Sequence, residues 1–222
     1  MRRCCAWGAL GVPHAFVYMV AYRTGVREEA TVLALNKSLE TEMAKFHKGY
    51  VGLFQYGSNM SSARLNSPKR LNKRARRPFR ARLDAWGIRF DLYSKCNASG
   101  VTDIVQVDGE YVMGVVYKVP VRLVYAPTGK RSKMDEIEGT RTDGTGNYQR
   151  KRINVVNGRG ETIPVVTYIG TEHGTRRFLR RDELDRRVSR TYFSHLLKGA
   201  HKFRFADSYI SYLQRQAGIL KG

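Results

Sequence analysis

The chain has 222 residues, 42% of them apolar and 27% charged, and its 40 Lys and Arg outweigh 19 Asp and Glu to give a formal charge of +21 and a pI near 10.3. That apolar fraction excludes wholesale disorder, and a chain of this length buries roughly 70% of its unfolded surface around one core. Three cysteines (Cys4, Cys5, Cys96) cannot build a disulfide framework, so a reducing, cytoplasmic setting is expected; no CxxC or HxxxH spacing occurs, so neither is a metal site.

Arg2 and Arg3 precede the largely apolar run Cys4 to Tyr22, the order of a signal peptide. Pro13, His14 and several glycines interrupt it, and it is marginal for a span of about 20 apolar residues. No transmembrane segment is therefore expected, and residues 1–48 read as an extension, packed on the domain or loosely ordered. Within it, Val32, Leu35, Leu39, Met43 and Phe46 form one apolar stripe, which predicts a helix over 27–48 stopped by Gly49.

Beyond Gly49 the period changes. Tyr50 to Tyr56 is a short apolar and aromatic run ending in Gly57-Ser58-Asn59, which predicts a buried strand entering a turn. Ser61 or Ser62 can cap a short helix through Leu65, ended before Pro68. From Phe79 to Leu92 apolar residues alternate, with a slip of phase near Trp86-Gly87 that predicts a bulge. Turn chemistry then predicts two hairpins. Asp108-Gly109 joins Val101–Val107 to Glu110–Val119, and Asn157 to Gly160 joins Gln149–Val156 to Glu161–Ile169. Two helical stripes follow, Leu196, Leu197, Ala200 and Phe203, then Tyr209, Ile210, Tyr212 and Leu213. Clustered antiparallel strands with segregated helices mean an α+β domain over 49–222, with a small curved sheet or barrel of antiparallel or mixed strands and flanking helices.

Two segments carry the candidate chemistry. Tyr56-Gly57-Ser58-Asn59-Met60 leaves a strand for a helix and presents successive backbone N–H groups, an arrangement suited to a carboxylate or phosphate; a plain structural turn reads the same way. Met134-Asp135-Glu136-Ile137-Glu138-Gly139 places Glu138 at a helix end marked by Gly139. Turned toward the sheet and partly desolvated, that carboxyl has a raised pKa and serves as a general base; turned outward, it is a solvated helix end.

The order strand–YGSNM–helix, a basic strand pair, the GVVYKV strand, then DEIEG followed by Tyr148 resembles the gamma-glutamylcyclotransferase-like family from about Val51 to Ala200. The resemblance implies that Glu138 is the catalytic acid/base and that Tyr56, Gly57, Ser58 and Asn59, with Gln55 at the strand end, hold the gamma-glutamyl group. Tyr148 matches a family tyrosine, and Tyr192, ahead of Lys198-Gly199-Ala200, matches one that lines the pocket. The implied reaction closes a small gamma-glutamyl amide to 5-oxoproline and releases an amine or amino acid, with no cofactor and no metal. Pro120 to Lys133, basic and containing Ala126-Pro127-Thr128-Gly129, departs from the plain helix of relatives. The leaving group (amino acid, glutathione-like peptide, polyamine or lysine side chain) and the oligomeric state stay open.

Residues 1–48 hold seven bases and four acids, so +3 of the +21 lies there and +18 belongs to the domain. One block, Lys69, Arg70, Lys73, Arg74, Arg76, Arg77, Arg80 and Arg82, has eight bases and no acid. It reads either as a solvated face or as a footprint for nucleic acid or another polyanion, with Phe79 and Trp86 available to stack on bases. A basic binding module without catalysis is thus the rival to the enzyme, and a third reading keeps the enzyme with a polyanionic substrate. Arg176 to Arg190 mixes seven arginines with Asp182, Glu183 and Asp185, which predicts a charged helix with internal ion pairs.

Overall fold

The computed structural model describes residue 46 and residues 48–219. The helix expected over 27–48 thus lies outside the described residues, except that Phe46 and Lys48 stand in a turn.

Five strands, β1 (Tyr50–Gln55), β2 (Arg76–Ser94), β3 (Ser99–Pro120), β4 (Tyr148–Asn157) and β5 (Thr162–Gly170), close into a barrel in the order β1-β3-β2-β4-β5. Neighbours are antiparallel except at the seam, where β1 lies parallel to β5 with Leu53 beside Val166. The barrel is therefore mixed, and the α+β reading holds. β1 is buried on both faces from Val51 to Gln55, which is why its sequence runs apolar without alternating. Gly52 has to be small there: a Cβ would come within 2.3 Å of the Phe46 ring packed across the strand. Leu53, Phe54, Val116, Tyr117, Val165 and Val166 fill the centre.

β2 and β3 form one long hairpin, turned by a 3-10 stretch at Lys95–Asn97 and by Ala98 at φ +42°. The turn expected at Asp108-Gly109 is not a turn. β3 runs through it: Asp84 pairs with Tyr111 and Trp86 with Gln106, so residues 107–110 bulge opposite Ala85, with Gly109 at φ +79° and Ala85 at φ +61°. A left-handed glycine serves a bulge as well as a tight turn, and the continuous partner strand decided between them. The bulge predicted near Trp86 is real and sits at this point. The second hairpin forms as expected across Asn157 to Gly160.

The helices pack outside the barrel. α1 (Ser62–Leu65) follows a 3-10 turn over Ser58–Met60, and the Ser61 side chain caps it by accepting from the Arg64 N–H. α2 is Lys133–Glu138, α3 Glu172–Leu179, α4 Glu183–Arg186, α5 Arg190–Lys202 and α6 Asp207–Gln216. The arginine-rich segment is split between α3, α4 and the start of α5 rather than forming one helix. Its ion pairs are present four residues apart, Arg176–Glu172, Arg181–Asp185 and Arg187–Glu183. Among the described residues no helix is long and apolar enough to cross a membrane.

Candidate active site

The turn after β1 and the end of α2 meet at one cavity. β1 delivers Gln55, Tyr56 and Gly57 to the barrel mouth, and the 3-10 turn holds Ser58, Asn59 and Met60 buried. The close approach of α5 fixes this turn. Gly199 lies so near that a Cβ would stand 2.5 Å from the Met60 Cβ and 3.0 Å from its carbonyl carbon. Tyr117 on β3 donates a 2.7 Å hydrogen bond to the Met60 carbonyl from below.

α2 is set by its first carboxylate. Ser132 and Asp135 form a reciprocal capping box. Asp135 also accepts from the Tyr168 hydroxyl at 2.9 Å and pairs with Arg150 at 3.3 Å, which ties the helix to β4 and β5. One turn later Glu138 lies on the same side, since residues three apart are neighbours on a helix. Two acids of the segment thus face the barrel: Asp135 is an anchor, and Glu138 opens on the cavity. The helix stops there because Gly139 adopts φ +72°.

The Glu138 carboxylate accepts a 2.9 Å hydrogen bond from the Asn59 amide, whose oxygen in turn accepts from Arg70 at 2.9 Å. Protein surrounds the carboxyl, although part of the residue's surface faces the cavity and is open to water. Burial pushes its pKa above the ordinary value of 4.5, and the Arg70 charge, the Asn59 and Gln55 hydrogen bonds and the Arg64 charge pull it back in part. A carboxyl balanced in this way can exchange a proton nearer neutrality than a surface glutamate.

Gln55, Tyr56, Gly57, Ser58, Asn59, Glu138, Tyr148 and Tyr192 all line this cavity of about 430 Å³. Their side chains differ in freedom. The Tyr56 hydroxyl is committed to the Tyr168 carbonyl and the Tyr148 hydroxyl to the Thr102 carbonyl. The Tyr192 hydroxyl accepts from the Thr102 N–H at 3.0 Å and is 2.9 Å from the Thr102 hydroxyl. Burial raises the pKa of all three phenols, so they stay neutral. Tyr192 lies in the first turn of α5, the helix that carries Gly199 and Ala200. Gly57 is needed beside this group, since a Cβ would come within 2.3 Å of the Thr102 hydroxyl.

Arg70 turns inward to Asn59, while Lys69, Lys73, Arg74, Arg76, Arg77, Arg80 and Arg82 are exposed. Trp86, expected to be free for stacking, is buried beneath Lys151, whose ammonium sits 5.1 Å from the ring centre; Phe79 is half-buried. Thr102, Arg64 and Arg70 are among the cavity residues that sequence reasoning did not place there. Arg70 lay inside the charge run, where nothing distinguishes it from its neighbours. Among the described residues no cluster of three His, Cys, Asp or Glu is placed to hold a metal ion.

A closed mixed barrel with flanking helices, whose first strand feeds the YGSN turn, is the gamma-glutamylcyclotransferase-like fold. A sequence model of the AIG2-like family matches residues 111–213. Among solved structures the chain is similar to a gamma-glutamyl cyclotransferase, at 21% identity over 74% of this chain and 86% of that one, with a TM-score of 0.54. It is also similar to an uncharacterized human protein, at 21% identity over 75% and 88% with a TM-score of 0.56. YkqA from Bacillus subtilis matches at 22% identity over 82% of this chain and 60% of its own, with a TM-score of 0.57. No curated protein matches. The structural likenesses show that the chain has a gamma-glutamyl cyclotransferase-like fold, and the AIG2-like model matches its second half from the end of the β2–β3 hairpin onward.

Proposed function

We propose that this protein is a gamma-glutamyl cyclotransferase. One observation carries the reading: the Glu138 carboxyl, hydrogen-bonded to Asn59, lines the same cavity as the Gln55-to-Asn59 turn. The substrate's alpha-amine nitrogen bonds to its own gamma-carbonyl carbon, and the carbon–nitrogen bond of the amide breaks. The products are 5-oxoproline and a free amine. Because both reacting groups belong to one molecule, a cavity that holds it folded removes much of the entropic barrier. What is left is one proton, which Glu138 takes from the attacking nitrogen and returns to the departing one. Its raised pKa supports both halves of that exchange.

In this reading Gln55, Tyr56, Gly57, Ser58 and Asn59 hold the gamma-glutamyl group. Tyr148 and Tyr192, neutral and already bonded to Thr102, shape the wall and position their neighbours. No cofactor enters the reaction as proposed. A cytoplasmic setting is part of the proposal, since three cysteines cannot form a framework and Cys96 is free and exposed.

The test is 5-oxoproline release from a panel of gamma-glutamyl amides by the wild type and Glu138→Gln. The variant keeps the shape and the Asn59 contact but carries no transferable proton. A loss of at least ~10² in kcat with an unchanged melting temperature is expected. A folded Gln variant with undiminished output overturns the assignment of Glu138.

A further inference from the structure

The outer part of the cavity is more positive than a neutral leaving group requires. Six cations line it, Arg64, Arg70, Lys95, Arg131, Arg141 and Arg177, against two acids, Glu136 and Glu138. Glu136 is engaged by Lys133 at 3.0 Å, outside the cavity lining. Among the described residues none of the six cations forms an ion pair with a carboxylate within 4 Å. Those with bonds use neutral oxygens: Arg64 donates to Asn97, Arg70 to Asn59 and Arg131 to the Asp135 carbonyl.

Depth separates them into two groups. Arg64 and Arg70 are half-buried beside the YGSN turn, while Lys95, Arg131, Arg141 and Arg177 are exposed at the mouth. The four at the mouth come from separate pieces of chain: the β2–β3 turn, the loop before α2, the loop after it, and α3. A charge run in sequence is a single solvated segment, whereas here the tertiary fold brings like charges together around one opening. The Arg64 Nε is buried without a hydrogen-bond partner, and burial, with the like charge of Arg70 adding to it, lowers the Arg64 pKa. Like charges gathered around a concave, low-dielectric wall focus a field that attracts anions.

We infer that the leaving amine of the substrate is itself acidic: an amino acid or short peptide bearing at least two carboxylates, as in a gamma-glutamyl-glutamate. This rests on the cyclotransferase reading of the same site. The inner wall takes the gamma-glutamyl group, and the mouth arginines, whose planar forks match carboxylates, take the charged end of the departing part. Bonds and protons balance as in the parent reaction, so the acidic end contributes binding and orientation only.

The experiment compares gamma-glutamyl-glutamate with gamma-glutamyl-glutamine, which have nearly the same shape and differ by one charge, by 5-oxoproline release from the intact protein. A kcat/KM ratio of about tenfold or more in favour of the acidic substrate is expected at low salt, shrinking as salt screens the mouth. The double variant R141E/R177E, both sites being exposed, is expected to bring the ratio to one or below. Equal turnover of the two substrates at all salt concentrations, by an active protein, overturns the charge inference and leaves the cyclotransferase reading standing. Absence of 5-oxoproline from every gamma-glutamyl amide overturns both.

Discussion

Asn59 and Glu138 are 79 positions apart in the chain, and the amide of the first donates a 2.9 Å hydrogen bond to the carboxylate of the second. The bond ties the turn after β1 to the end of α2, and with Arg70 behind it forms a chain of three side chains. Asn59 does two things at once. It aims one carboxylate oxygen, and it passes on the influence of Arg70 without placing a cation against the carboxylate.

Asn59→Ala removes the aim while leaving Glu138 in place. Misplacement of a reacting group by an ångström costs up to about 10²-fold in rate, so kcat is expected to fall by 10- to 100-fold. Steady-state 5-oxoproline kinetics beside a thermal unfolding curve check this: the rate falls, and the melting temperature changes little.

Arg70→Met isolates the electrostatic part. Arg70 is the largest of the influences holding the Glu138 pKa down against burial, so its removal raises that pKa further. A general base works when deprotonated, and the acid limb of the kcat/KM profile is therefore expected to move to higher pH. Arg70→Lys restores most of the shift, because the charge returns even though the fork does not. An unmoved profile in Arg70→Met rules out this coupling.

Asp103, next to Thr102 on β3 but outside the cavity lining, provides a stability readout. It is buried on β3 and accepts from the Gly170 and Ile104 N–H groups, yet burial, with help from the Asp91 charge, pushes its pKa from 3.8 to about 7. The folded state thus keeps a proton that the unfolded chain gives up near pH 4. The stability this contributes is fully present below that pH and is lost as pH rises to about 7, on the order of 4 kcal/mol in all. Asp103→Asn retains the accepting oxygen and cannot ionise, so its denaturation midpoint is expected to vary less between pH 4 and pH 7 than that of the wild type.

Gly199→Ala tests the contact that fixes the YGSN turn. The new methyl meets Met60 and the Ser61 nitrogen at 2.5–3.1 Å, mostly backbone or near-backbone atoms that cannot rotate away. Overpacking of this kind costs about 1–3 kcal/mol, and a lower melting temperature is expected with a rise in KM as the turn shifts. Ala200→Gly, one residue on, loosens the helix without pressing on the turn and is expected to leave KM closer to the wild-type value.

Much of the local structure was legible because short-range chemistry dictates it. The unbroken apolar run of β1 reports burial on both sides, the Asn157-to-Gly160 segment can only turn, and Gly139 ends α2 because no other residue takes φ +72° without strain. Asp108-Gly109 reads as a turn by the same local chemistry, but its left-handed glycine is compatible with two structures, and only the partner strand selects one. Ser132 and Asp135 carried a capping-box signal that would have placed the start of α2.

The sequence by itself determined most of the elements, the helix-end position of Glu138 and the surplus of cations, since each depends on neighbours within a turn or a strand. Only the tertiary structure decided that Arg70 faces inward while its seven companions face water, that Trp86 is covered, and that Asp135 is an anchor while Glu138 opens on the cavity. Those outcomes depend on barrel closure and on groups tens of residues away. Burial and charge pairing follow the distances between such groups in space, and spacing along the chain does not encode them.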